Sequence, residues 1–171
     1  LSKAAGGVVA YNLNEENPTE VKEWIPTGSR WLDSIICKGR LAGIPVGKVS
    51  EIAGLEATGK SFMAAQVAAN AQDMGFRVAY FDSESAIDPQ FLTRAGCDLE
   101  DEDSGLIYVQ AQSVEMVMAT IEDLLKMPQK WLFIWDSLAL TPSEHDLESD
   151  YNPQSSMAMK ARVLSKGMPK L

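Results

Sequence analysis

Eight residues, Gly54-Leu55-Glu56-Ala57-Thr58-Gly59-Lys60-Ser61, set two glycines, an amine and a hydroxyl in the order Gly, four residues, Gly-Lys-Ser/Thr. That spacing is the phosphate loop. Its glycines let backbone amides turn inward on an anion, and the helix that follows aims its unpaired N–H groups and positive dipole end at the same point. In this arrangement Lys60 reaches the β- and γ-phosphates of a nucleoside triphosphate and the Ser61 hydroxyl holds Mg²⁺. The competing explanation is a glycine-rich turn that matches by chance. Against it, a strand is read before the loop, Lys48 to Ala53, and a helix after it, Phe62 to Met74, closed by Gly75.

Two carboxylates fill out the chemistry. Asp136 follows five large apolar residues, Trp131-Leu132-Phe133-Ile134-Trp135. At such a strand end a carboxylate can hold the Mg²⁺ shell opposite Ser61. The plain alternative is a turn cap, which Asp-Ser after a strand also supplies. Glu84 follows the strand Arg77 to Phe81, where hydrolysis needs a group that orients or deprotonates the attacking water. Asp82 and Glu84, two apart on an extended segment, are expected to face one side, with one of them free to act only as a local cap or charge balance.

The elements that must position these groups are legible as periodicities. Residues 1–20 are small and polar, and Val8-Val9-Ala10-Tyr11 reads as a short strand that pairs outside its own domain or chain. Trp31, Leu32, Ile35 and Ile36 recur at helical spacing over Arg30 to Cys37, with Thr27 or Ser29 as the cap. Gly39, Gly43, Pro45 and Gly47 mark a turn-rich passage. In the helix after the loop, Met63, Val67, Ala71 and Met74 form a stripe that suits core packing.

Arg77 to Phe81, Leu106 to Val109 and Trp131 to Trp135 are near-continuous apolar runs, as in a parallel sheet covered on both faces. Between them lie a helix opened by Asp88-Pro89 and ended by Gly96, and a helix capped by Ser113 and stopped by Pro128. The second carries Val114, Val117, Ile121, Leu124 and Leu125 on its apolar face. An acidic segment spans 141–156, and a last helix runs from Ser155 or Ser156 to Met168. This alternation predicts an α/β fold with a mostly parallel sheet, right-handed crossovers, helices on both faces and a ligand at the C-terminal strand ends.

Bulk composition narrows the class further. At 171 residues, with 46% hydrophobic and 23% charged, the chain suits one globular α/β domain. No apolar run approaches the ~18 residues of a membrane span, and Leu1 to Gly7 lacks the apolar core of a secretory signal. The first residue is Leu1, not Met, so the chain is expected to begin inside a longer reading frame. A net charge of −9 argues against a broadly basic nucleic-acid surface while leaving room for a local basic strip. Acids cluster at Asp98 and Glu100 to Asp103, which reads as a solvated loop, and again from Glu144 to Asp150, where that plain reading stays open. His145, the one histidine, reads as incidental and not as a metal ligand. Cys37 and Cys97 lack ligand spacing and suit buried thiols in a cytoplasmic setting.

Three ordered motifs carry a family resemblance. Gly54 to Ser61, then Phe81-Asp82-Ser83-Glu84-Ser85-Ala86-Ile87-Asp88-Pro89, then Phe133-Ile134-Trp135-Asp136-Ser137-Leu138-Ala139-Leu140-Thr141-Pro142 resemble the RecA family of DNA recombinases, in a divergent or phage-type form. Pro26-Thr27-Gly28, Gly43 to Lys48, and the end from Met157 to Leu171 extend the likeness over nearly 20–171. It implies a P-loop NTPase of RecA type with ATP and Mg²⁺ as cofactors. By position, Glu84 resembles the catalytic glutamate, and Lys60, Ser61 and Asp136 the phosphate and Mg²⁺ groups. Asp88 resembles the residue facing the adenine amino group, Phe91 the ring that packs on adenine, and Glu56 a glutamate of the loop. The implied binding set is Gly54, Glu56, Ala57, Thr58, Gly59, Lys60, Ser61, Phe62, Asp88, Phe91 and Asp136, with Ser61 and Asp136 holding the metal. Segment 143–156 resembles the first DNA-binding loop, and Met157, Arg162 and Ser165 fall near single-stranded DNA.

The departures matter as well. Pro169 stands where the family usually has an arginine, and the Glu144 to Asp150 loop is acidic. The family's second DNA-binding loop, later strands and C-terminal domain would lie beyond Leu171. The expected organisation is therefore an N-terminal segment, 1–25, that pairs with a neighbouring subunit, and an ATPase core, 26–171, incomplete at its C-terminal end. The implied function is an ATP-dependent recombinase that forms a homo-oligomeric filament on single-stranded DNA, promotes strand exchange and hydrolyses ATP for release. A ring-shaped ATPase or helicase motor and a non-hydrolysing nucleotide-sensing module are the alternatives. No membrane partner is expected.

Overall fold

Apolar strand segments alternating with capped helices place a helical layer on each face of a parallel sheet. In the computed structural model the described residues are 20–148 and 153–168. Their elements run β1 (Trp24–Ile25), α1 (Arg30–Ile36), β2 (Ile44–Pro45), α2 (Lys60–Asp73), β3 (Arg77–Asp82), α3 (Pro89–Ala95), β4 (Ile107–Gln110), α4 (Val114–Leu124), β5 (Trp131–Asp136), α5 (Glu144–Glu148) and α6 (Pro153–Gly167).

The main sheet has three strands in the order β4-β3-β5, all parallel. Its central strand explains the layering. Successive side chains alternate faces, so Val78 and Tyr80 pack with Ala65, Ala68, Phe76 and Leu92 under α2 and α3. Ala79 and Phe81 point the other way, onto Val117 and Ile121 of α4. Tyr80 and Phe81 are wholly buried, each burial worth roughly 1.5–3 kcal/mol. Both faces are thus covered, as the continuous apolar strand implied.

Local chemistry sets the helix limits. Ser29 accepts from the Leu32 amide at the start of α1, while Thr27 gives its amide and hydroxyl to buried Asp33. Asp88 caps α3 ahead of Pro89, and Gly96 ends it at φ +101°. Ser113 caps α4 by accepting from the Met116 amide at 3.1 Å. Leu125, expected on the buried face of α4, lies past its last turn and is half exposed. β1 and β2 pair antiparallel, and Ile25 of β1 belongs to the α2-side core. Cys37 and Cys97 are free buried thiols.

Three readings need correction or qualification. Lys48 to Ala53 forms no strand: it makes no ladder with any described strand, and these residues lie exposed. An extended segment without a partner leaves its backbone groups to water and gains no packing in return. The acidic passage 141–156 contains a helix, α5, and the last helix begins at Pro153, two residues before the expected start. Val8 to Tyr11 lies outside the described residues. No helix among the described residues is long and apolar enough to cross a membrane.

Candidate active site

Register brings the chemistry together. In the parallel ladder Asp82 of β3 lies level with Asp136 of β5, so both strands end at the same height. The Ser83 amide donates to the Asp136 carbonyl at 2.9 Å, and the Ser137 amide donates to Ser83 Oγ at 2.9 Å. The two strand ends are thereby tied side by side; the Asp136–Ser137 peptide between them is cis.

Helix α2 packs over these ends and delivers Ser61. Its hydroxyl donates to Asp136 Oδ2 at 2.6 Å across 75 residues of chain. The Tyr80 phenol donates to the same oxygen at 3.0 Å. A cleft of about 330 Å³ opens here, and Ser61, Glu84, Asp88, Phe91 and Asp136 all line it. Phe62 stands edge-on to Phe91, ring centroids 6.2 Å apart, a preferred geometry for an aromatic pair.

Lys60 lies apart from this group. Its amine donates to the carbonyls of Gly54 and Leu55, at 3.1 and 2.8 Å, and so rests on its own loop. Thr58 closes the same turn by donating to the Leu55 carbonyl at 2.7 Å. Gly54, Glu56, Ala57, Thr58 and Gly59 are all exposed, with Ala57 and Gly59 at positive φ. Gly59 is the N-cap of α2 and no side chain caps that helix. Its first-turn N–H groups therefore lack a side-chain acceptor, the condition that favours an anion there.

Asp82 and Glu84 divide their roles, one as a local cap and one in the cleft, without sharing an extended face. The strand ends at Asp82, and the chain bends through Ser83 to Ser85, the last at φ +53°. They are therefore not two positions on one extended segment. Asp82 is buried and braces the bend, accepting from the Glu84 amide at 2.9 Å, the Ile87 amide at 3.1 Å and the Tyr108 phenol at 3.1 Å. Glu84 is exposed in the cleft. Asp88 also serves two ends, since it lines the cleft while accepting from the Gln90 amide at 3.0 Å.

Two tyrosines escaped the sequence reading. Burial, and then the Asp136 carboxylate beside it, push the Tyr80 phenol far above the usual tyrosine range. Tyr108 is raised too, by desolvation and by Asp82. A signal for Tyr80 existed: a phenol inside an otherwise apolar buried strand requires an acceptor, and its period-2 neighbour is Asp82.

The donor set suits one divalent cation of the hard kind. No group of three or more His, Cys, Asp or Glu side chains is gathered among the described residues, the α5 residues around His145 included. Mg²⁺ needs none, because it keeps several waters and takes one or two protein ligands plus phosphate oxygens. A hydroxyl and a carboxylate 2.6 Å apart at a helix start meet that requirement.

On α6, Arg162 and Ser165 are exposed and one turn apart, hence on one face. Met157 lies on the same helix, its side chain outside the described set. Lys160 donates to the Ala139 carbonyl at 2.7 Å, which pins α6 to the segment after β5; burial lowers its pKa.

Fold and cleft together define the class: a layered α/β protein with a ligand cleft at the C-terminal ends of parallel strands, beside a phosphate-loop sequence. The whole chain, residues 1–171, matches the RecA N-terminal domain, and the chain belongs to the RecA family. Protein RecA of Fusobacterium nucleatum is 32% identical over 171 residues, covering 100% of this chain and 43% of that relative. Protein RecA of Streptomyces avermitilis is 32% identical over 156 residues, covering 91% and 39%. The mitochondrial DNA repair protein recA homolog of Dictyostelium discoideum is 30% identical over 171 residues, covering 100% and 36%. The chain spans less than half the length of these relatives. The resemblance read from three motifs therefore holds at the level of the family.

Proposed function

We propose that this chain is the ATP- and Mg²⁺-binding, ATP-hydrolysing core of a cytoplasmic DNA recombinase. The observation that carries the reading is the 2.6 Å contact between Ser61 and Asp136 with Glu84 in the same cleft. In this reading Ser61 and Asp136 hold Mg²⁺, which when bound neutralises phosphate charge. Lys60 leaves its two loop carbonyls for the phosphates, a change its flexible stem permits. The first-turn amides of α2 bind the same phosphates. Asp88 and Phe91 receive the adenine, with Phe62 supporting the Phe91 ring. Glu84 takes a proton from the attacking water.

The ATPase core takes in β1, which pairs with β2 and packs Ile25 into it, and the segment before β1 pairs with a neighbouring subunit in a filament, a form of β-augmentation. Arg162 and Ser165, with Met157, face single-stranded DNA, and turnover releases it. ATP turnover with and without single-stranded DNA, in wild type and Glu84→Gln, tests the reading. The substitution is expected to lower turnover by roughly 10²- to 10⁴-fold, the usual size of a general-base contribution, with nucleotide affinity retained. Unchanged turnover would favour a second reading, a nucleotide-sensing module without hydrolysis. The placement of Lys60 on its own loop lends that reading support.

A further inference from the structure

We propose that Tyr80 is a positioning residue for Asp136, holding its carboxylate in the orientation that a divalent cation requires. The inference rests on the reading of the cleft as an Mg²⁺–nucleotide site and adds a residue to it. The placement follows from the ladder. Tyr80 is level with Ile134, and Asp82 with Asp136, so the phenol and the Asp136 carboxylate are diagonal neighbours on one face of the sheet. Tyr80 is 0% exposed. Its ring is held in the core cluster with Ala65, Ala68 and Val78, so its hydroxyl has little freedom to search for other partners.

Asp136 Oδ2 receives two donors of different kinds, Ser61 Oγ at 2.6 Å and Tyr80 Oη at 3.0 Å. Ser61 approaches from the cleft side, and its hydroxyl can offer a lone pair to a cation while its proton stays on Asp136. The Tyr80 bond comes from inside the core, where no cation competes for the phenol, so it anchors the carboxylate independently of what fills the cleft. Phenylalanine at this position would fill the same space and remove that anchor. Partners that orient a metal's ligands typically change metal affinity by about 10- to 100-fold when removed.

The test follows binding of a fluorescent ATP analogue to the chain across a Mg²⁺ titration, in wild type, Tyr80→Phe and Val78→Ala. Val78 lies on the same strand and the same face but has no polar atom. Tyr80→Phe is expected to raise the half-saturating Mg²⁺ concentration about tenfold, with affinity in excess chelator unchanged. Val78→Ala is expected to lower the thermal midpoint and leave the Mg²⁺ requirement alone. A wild-type Mg²⁺ requirement in Tyr80→Phe would overturn the inference, as would an equal shift in Val78→Ala, which would reduce the role of Tyr80 to packing. A wild type that binds the analogue with no Mg²⁺ dependence overturns the reading of the cleft itself, and the inference with it.

Discussion

Tyr80 and Cys97 share an electrostatic condition that follows from where the core closes over them. Each is neutral when protonated, and burial is the largest cause that raises each: Cys97 to about 11, Tyr80 beyond the ordinary tyrosine range. The folded chain therefore keeps protons that the unfolded chain gives up. Stability linked to these groups is fully present below the unfolded thiol value, about 9, and falls as pH rises toward 11 and above. Urea unfolding midpoints should be level from neutrality to about pH 9 and then decline, less steeply in Tyr80→Phe with Cys97→Ala. A midpoint that stays level through that window, or one that declines identically in the double variant, is incompatible with this account.

Elements in this protein are bounded by small, specific backbone requirements. Gly43 sits at φ +107°, and a Cβ there would run into the Ile25 carbonyl of β1. The same turn is bracketed by Cys37, whose sulfur accepts from the Gly43 amide at 3.3 Å and donates to its carbonyl at 3.5 Å. Only glycine lets β2 approach β1 in this way. Gly43→Ala should cost about 1–3 kcal/mol, the usual range for a strained backbone position, and disturb the β1–β2 pair. A thermal midpoint equal to wild type would show that this turn relaxes freely. The loop before α2 shows the opposite situation. Lys48 to Ala53 has apolar Val49 and Ile52 but no ladder partner, and both stay exposed.

Across the whole molecule, charge and assembly are linked. A net charge of −9 means that contact with a polyanion must be local. Arg162 on α6 is exposed, and the acidic helix α5 is the element that precedes α6 in the chain. In the proposed filament the N-terminal segment supplies the link between copies. Deleting residues 1–12 should reduce the oligomer size seen in light scattering while nucleotide binding persists, because the cleft is built from residues 61–136. Unchanged oligomer size after that deletion would remove the N-terminal segment from the assembly scheme.

Much of this was legible from residue order alone, for reasons that are local. Asp88-Pro89, Ser113 and Gly96 mark helix ends because caps act within one turn. The apolar runs marked β3 and β5 because their side chains pack into the cores on both faces of the sheet, while the edge strand β4 was marked by its one covered face, Ile107 and Val109, with Tyr108 exposed on the other. The phosphate-loop spacing and Asp136 are visible because their chemistry is tied to residue type. Other features depended on groups far apart in sequence. Tyr80 and Ser61 meet on one oxygen of Asp136 only because parallel register and helix packing put strand, helix and strand end at the same height. That Asp82 is the local cap and Glu84 the residue in the cleft was decided by where the strand stopped and the amides of the bend closed on Asp82. Lys48 to Ala53, extended by pattern, remained unpaired because a strand is a property of two segments and not of one. Residue types and spacings determined which chemistry this chain carries, whereas the packing of distant elements decided which of those groups share a cleft.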